Sequence, residues 1–367
     1  MVNNIFMPTR CIWGKNAVAE NSSLLAAYGS SCLIVTGKSG AKASGALDDA
    51  IAALEKENIA YGIFDEIGEN PLISACHAAG EAARNSNAAF ILGIGGGSVL
   101  DASKAIAIYA ANPELSPIDI YKREYSVQAL PVVLIGTTAG TGSEVTAVAV
   151  LTNDETGIKK SISGPDCYAK LSFCDAKYTH SVPYASTVST ALDAFAHAVE
   201  GYFTQKCNKT IELYAEKCIP VIYGCLKALC GRNDVPEELR EPLYDGSIYA
   251  GLVINTCGTA FPHPLGYVLT ENYGIPHATA CAAFVAPYID RCEEFAPEKA
   301  EKFFEMTDEK EKVKAVVAAL TDLKGIRITP DEAKKYALRW QDVIPRNFTA
   351  SPGGLTQEEA ARIISGI

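Results

Sequence analysis

The chain has 367 residues, 48% of them hydrophobic and 20% charged, which is long enough for two domains with a core each and ordinary for a soluble globular enzyme. Its formal net charge of −11 argues against a nucleic-acid or anionic-membrane partner, since both reward basic patches. No basic n-region with an apolar run opens the sequence, so no signal peptide is read, and apolar runs such as 88–94 are too short to span a bilayer. The 12 cysteines form no Cys-x-x-Cys pair, which reads as free thiols in a reducing, cytoplasmic setting.

Taken in order, the first half alternates short apolar runs with helical patterns. Strands are expected at 32–36, 61–64, 88–94 and 130–135, with helices after the first near Leu47, Ile51 and Leu54, and then at 72–84 and 99–110. Such alternation implies a mostly parallel sheet covered by helices on both faces, with ligands at the carboxyl ends of its strands. The third run passes directly into Gly95-Gly96-Gly97-Ser98. Three glycines let backbone N–H groups approach an anion, and the following helix points its positive end at the same place. Alone, that turn describes a tight strand–helix connection equally well, and Asp101 an ordinary first-turn carboxylate. The fourth run ends in Gly136-Thr137-Thr138-Ala139-Gly140-Thr141-Gly142-Ser143-Glu144, whose hydroxyls and N–H groups suit a pyrophosphate or ribose. Two such loops at one end of one sheet suggest a dinucleotide, although the GxGxxG spacing is absent after the first strand. That first strand ends in Gly37-Lys38-Ser39 with Lys42 a turn further and no carboxylate, which favours NADP(H) over NAD(H); equally, Lys38 and Lys42 are solvated surface charges.

From about residue 183 the texture becomes helical. Helices are expected at 186–204, 208–229, 237–256, within 297–323, at 330–343 and at 355–364. The expected organisation is an α/β dinucleotide-binding domain, 1–182, and an all-helical metal- and substrate-binding domain, 183–367. Three of the five histidines fall in the stretch 193–277. Asp193 and His197 share one helix face a turn apart. His263 lies between Pro262 and Pro264, and His277 follows Pro276. One carboxylate and three imidazoles suit Fe²⁺ or Zn²⁺ better than Mg²⁺ or Ca²⁺. Read alone, Asp193 and His197 describe an acid–histidine surface pair. Cys257 and Cys281 are nearby and read as packing residues.

Together these motifs resemble the iron-containing (group III) alcohol dehydrogenase family over essentially the whole chain. Gly95-Gly96-Gly97-Ser98 with Asp101 and Lys104 resembles its first cofactor loop, 137–146 its second, and Asp193-Ala194-Phe195-Ala196-His197 with 198–202 its metal helix. The resemblance implies a dehydroquinate synthase-like, glycerol dehydrogenase-like fold: an N-terminal α/β dinucleotide-binding domain and an all-α C-terminal domain. It implies Asp193, His197, His263 and His277 as metal ligands. The implied cofactor contacts are Ser39, Asn70, Gly96, Gly97, Ser98, Asp101, Thr137, Thr138, Thr141 and Lys159 (or its neighbour Lys160). Many members carry a further histidine four residues after the third ligand. Here that residue is Tyr267, a candidate proton relay or pocket wall, which with Gly37 is similar to the 1,3-propanediol and butanol dehydrogenase-like subgroup. Pro262 and Pro264 stand where alanine is more usual, and Ala278 where glycine is, which puts the local loop geometry in question.

The activity so implied is a metal-dependent, NADP(H)-linked alcohol dehydrogenase or aldehyde reductase acting on small primary alcohols and aldehydes, in a cytoplasmic homodimer. Two rivals share the scaffold: a dehydroquinate synthase-like lyase, and a non-catalytic metal- or nucleotide-binding protein.

Overall fold

The computed structural model describes residues 5–367. Two compact units divide the described chain, Phe6–Val182 and, grouped with Ile5, Pro183–Ile367. In the first, a six-stranded sheet has the order β1-β8-β5-β4-β2-β3. Its strands are β1 (Arg10–Trp13), β2 (Ser31–Thr36), β3 (Ala60–Phe64), β4 (Phe90–Gly95), β5 (Val132–Gly136) and β8 (Leu171–Cys174), all parallel. Every residue of β4 and β5 is buried. A strand covered on both faces needs apolar side chains at both phases of the pleat, so it reads as an unbroken apolar run.

The pleat divides the core in two. Leu33, Val35, Ile91, Val132 and Leu134 face the helices Ile73–Asn85 and Gly97–Ala111. Ile34, Phe90, Leu92, Val133 and Ile135 face the other way, toward the helix Ala46–Lys56. A separate antiparallel pair, β6 (Val148–Thr152) with β7 (Lys159–Ser163), projects from the chain after β5. Sequence reasoning did not find β1, β8 or this pair. β1 and β8 are four residues each, RCIW and LSFC, too short to show a period.

The second unit is helical. Its longest members are Tyr184–Phe203, Lys209–Leu229 and Arg240–Cys257. The first is buried at every residue from 191 to 203, so it is the axis of the unit and needs apolar or paired side chains all round. The second starts where Asn208 accepts hydrogen bonds from the N–H groups of Thr210 and Ile211. The stretch expected to be helical within 297–323 is two helices, Pro297–Met306 and Lys310–Leu320. Among the described residues no helix is long and apolar enough to cross a membrane.

Candidate metal centre and dinucleotide loops

The loops that end β4 and β5 lie side by side. Parallel register sets Gly95 against Gly136, and Thr137 N–H donates to the Gly95 carbonyl at 3.0 Å. The helix Gly97–Ala111 begins here with Gly96 as its cap; its first N–H groups have no intrahelical partner and carry the positive end of the helix dipole. The two loops touch through glycine. A Cβ on Gly97 would stand 2.3 Å from Thr141 Cγ2 and 2.7 Å from Thr141 Oγ1. We expect Gly97→Ala to displace Thr141 and weaken dinucleotide binding by roughly 10- to 100-fold, matching the ~1–3 kcal/mol of overpacking. A fluorescence titration with NADH checks this.

Two further side chains of the same helix hold the second loop. Lys104 is fully buried. Its ammonium donates to Ser143 Oγ at 2.7 Å, Thr146 O at 3.0 Å and Val148 O at 2.8 Å. Burial draws its pKa down, and Asp101 opposes this. Asp101 accepts from Ser143 Oγ at 2.6 Å and from Val150 N–H at 2.8 Å. Both Asp101 oxygens are therefore engaged with the second loop and the strand after it, so the carboxylate positions that loop.

Ser98, Thr138 and Thr141 are half-buried and Thr137 is buried, all at this sheet end. β2 neighbours β4, with Thr36 opposite Ile94, which brings the Gly37–Ser39 turn to the same end. Asn70 follows β3 in the left-handed conformation, φ 55, which asparagine tolerates. Lys159 lies in β7 and is half-buried, whereas Lys160 places its ammonium over the Tyr121 ring, 5.2 Å from the centroid.

In the helical unit Asp193 and His197 are buried, at 3% and 6% exposure, so they do not form a surface pair. Asp193 Oδ1 is 3.8 Å from His197 Nε2 and 3.8 Å from His263 Nε2. The His197 and His263 rings stack at 4.8 Å, and His277 meets His263 edge-on at 5.5 Å. Tyr267, one turn beyond His263, stacks its ring on His277 at 5.3 Å.

The prolines flanking His263 cause no disruption. Pro262 is the first residue of the helix Pro262–Tyr273 and Pro264 the third, where a missing N–H costs no helical hydrogen bond. Ala278 lies within the helix His277–Ala282 and is not among the residues with left-handed φ, so glycine is not required there.

Glu200, which sequence reasoning missed, orients the centre. Its Oε1 is 2.7 Å from His263 Nδ1, and its Oε2 accepts from Ala260 N–H at 2.7 Å. Burial pushes the Glu200 carboxyl up, opposed by His263 and the Ala260 N–H. Burial works to lower the His263 pKa, but Glu200 and Asp193 outweigh it and hold it above the usual imidazole value. A carboxylate on Nδ1–H fixes the tautomer and turns Nε2 toward Asp193. That Nε2 is buried and has no hydrogen-bond partner among the described residues. An orphaned buried nitrogen is costly, and a divalent transition metal would satisfy it along with the nearby carboxylate. Glu200 lies seven residues after Asp193 and three after His197, on the same helix face, and that spacing was the available signal. Replacing Glu200 by Gln should weaken metal binding about 10- to 100-fold, read by competition with a chromogenic chelator.

The ligating atoms of Asp193, His263, His277 and Cys281 all lie within 4.8 Å of one another. Cys281, read from sequence as packing, belongs to this cluster. His277-x-x-x-Cys281 repeats the spacing of Asp193-x-x-x-His197.

A parallel sheet with glycine- and hydroxyl-rich loops at one end and a buried carboxylate–imidazole cluster are the parts that a metal-dependent, nicotinamide-linked oxidoreductase requires. Residues 8–176 match the family model "Iron-containing alcohol dehydrogenase", and 187–336 match "Fe-containing alcohol dehydrogenase family, C-terminal". An iron-containing alcohol dehydrogenase from Thermotoga maritima has 33% identity and a TM-score of 0.90 over 100% of both chains. NADH-dependent butanol dehydrogenase A from the same organism has 25% identity and a TM-score of 0.85, over 99% of this chain and 98% of its own. Alcohol dehydrogenase 4 of Schizosaccharomyces pombe is 29% identical, over 78% of this chain and 67% of its own length. The chain belongs to the iron-containing alcohol dehydrogenase family, whose members are metal-dependent alcohol dehydrogenases and aldehyde reductases.

The NADP(H) expectation is corrected. The butanol dehydrogenase is named as NADH-dependent. A Bacillus methanolicus relative, 26% identical over 78% of this chain and 75% of its own, is named as an NAD-dependent methanol dehydrogenase. The residues behind the expectation, Lys38, Ser39 and Lys42, are all exposed. Charges in water are screened and bind a 2′-phosphate weakly, so a basic strand end is a poor discriminator. The lyase alternative finds no support among these relatives.

Proposed function

We propose that the protein interconverts small primary alcohols and their aldehydes, with Asp193, His197, His263 and His277 holding a divalent metal, Fe²⁺ or Zn²⁺. The dinucleotide contacts in this reading are Gly37, Ser39, Asn70, Gly96, Gly97, Ser98, Thr137, Thr138, Thr141 and Lys159, with Asp101 positioning the second loop. The observation that carries it is the buried His263 Nε2, oriented by Glu200 and without a hydrogen-bond partner among the described residues, 3.8 Å from Asp193 Oδ1.

When bound, the metal supplies a Lewis acid that acidifies an alcohol or polarises a carbonyl, and the nicotinamide carries the hydride. The protein's part is orientation. Asp193 gives the centre one negative charge against three neutral imidazoles, which leaves a net positive ion. Glu200 keeps the proton of His263 on Nδ1. The positive end of the helix Gly97–Ala111 and the hydroxyls of Thr137, Thr138 and Thr141 suit a pyrophosphate.

Tyr267 braces His277 through its ring. Tyr267→Phe keeps that ring, so kcat should stay within a few-fold of wild type; a loss of about 10²-fold or more would make the hydroxyl a proton relay. The proposal is tested by following NADH oxidation with a panel of short aliphatic aldehydes, with Fe²⁺ or Zn²⁺ added. Aldehyde-dependent oxidation is expected, and its absence with every aldehyde and both metals would refute it.

A further inference from the structure

The mechanism above leaves Cys281 unused, although its sulfur stands inside the ligand cluster. We propose that Cys281 is a thiolate donor to the metal of this centre, a role that rests on the metal-centre reading. Sγ lies 3.6 Å from His277 Nδ1 and 3.8 Å from His277 Nε2, and the ligating atoms of Asp193, His263, His277 and Cys281 fall within 4.8 Å of one another. Donors about 2.0–2.3 Å from one tetrahedral ion are separated by roughly 3.3–3.7 Å. The Asp193–His263 spacing of 3.8 Å and the Cys281–His277 spacings of 3.6–3.8 Å are close to those edges, and the rest of the set lies within 4.8 Å, so one ion can touch oxygen, nitrogen and sulfur once the side chains close by up to about 1 Å.

Backbone geometry brings the sulfur there. His277 and Cys281 sit one turn apart on the helix His277–Ala282, so both side chains leave the same face. That helix packs on Pro262–Tyr273 at Gly266, where a Cβ would stand 2.8 Å from both Cys281 N and Cys281 Sγ. Only glycine at 266 leaves room for Cys281 this close to the helix that bears His263. Cys281 is itself fully buried.

A buried cysteine is most often a small apolar filler. A filler, however, has no reason to share a space with a carboxylate and two imidazoles. Coordination as thiolate releases the thiol proton to solvent. It also gives this centre a softer donor than an acid and three imidazoles provide, and a second negative charge that offsets the net positive charge those four leave on a divalent ion.

X-ray absorption at the zinc edge of the zinc-loaded full-length protein tests this directly. The expected shell contains a sulfur at about 2.3 Å beside nitrogen and oxygen at about 2.0–2.2 Å. The sulfur should vanish in Cys281→Ser and persist in Cys257→Ser. A wild-type shell of nitrogen and oxygen alone, with zinc bound at one per chain, would overturn the sulfur donor and leave the metal centre standing. Failure of the wild-type protein to hold zinc or iron at all would overturn both. Should Cys281→Ser not fold, the wild-type shell decides unaided.

Discussion

Replacing Asp193 or His263 by alanine should abolish aldehyde-dependent NADH oxidation and leave dinucleotide binding intact. Each substitution removes a donor from a buried cluster in which Asp193 Oδ1 and His263 Nε2 are 3.8 Å apart. Without Asp193, the imidazoles lose the one anionic donor among the four proposed ligands. Without His263, Glu200 is left buried with only the Ala260 N–H of its two described side-chain contacts. Lewis-acid stabilisation is worth several kcal/mol, so at ~1.4 kcal/mol per decade the loss is at least about 10³-fold in kcat. The dinucleotide loops belong to Phe6–Val182 and the metal cluster to Pro183–Ile367, which is why the two readouts should separate. Stopped assays with excess metal, beside an NADH fluorescence titration, measure both. Turnover within tenfold of wild type in either variant would remove that residue from the ligand set.

The second large effect is on stability. Lys104→Met should destabilise the first unit by about 3–5 kcal/mol, the magnitude for removing one partner from a buried charge network. Lys104 is fully buried and its ammonium donates to Ser143 Oγ and to the carbonyls of Thr146 and Val148. Methionine fills much of the volume but donates nothing, so Ser143 Oγ and the Thr146 carbonyl, both of buried residues, lose this partner. Asp101, half-buried, then loses the ammonium 3.9 Å away and keeps Ser143 and the Val150 N–H among its donors. Because the second loop hangs on these bonds, dinucleotide affinity should fall together with the first unfolding transition. Calorimetry with and without NADH reads both. An unfolding temperature within a degree or two of wild type would show that the loop is held by something else.

Much of this was legible in the sequence, for physical reasons that differ by residue. β2, β4 and β5 announced themselves because both faces are covered, which forces unbroken apolar runs. β1 and β8 complete the same sheet but are four residues each and carry cysteine, serine and arginine in place of a period. The parallel register then sets Gly95 beside Gly136, so two loops that looked similar in sequence become one surface.

In the metal cluster, scarcity did the work. With five histidines in the chain, three within one stretch stood out. Glu200 and Cys281 did not, because glutamate is common and cysteine is an ordinary packing residue. Only their helical spacing from Asp193 and His277 marked them. The 2′-phosphate expectation erred for a related reason: sequence shows which residues are charged but not which of them are exposed, and Lys38 and Lys42 are exposed.

The most direct measurement joins metal content to turnover. Wild-type protein stripped with a chelator, then titrated with Fe²⁺ or Zn²⁺, should regain aldehyde-dependent NADH oxidation in proportion to metal bound, saturating at one ion per chain. Asp193→Ala carried through the same titration should regain none. Full turnover by the stripped wild-type protein, or recovery in Asp193→Ala equal to that of wild type, would contradict a catalytic metal at this cluster.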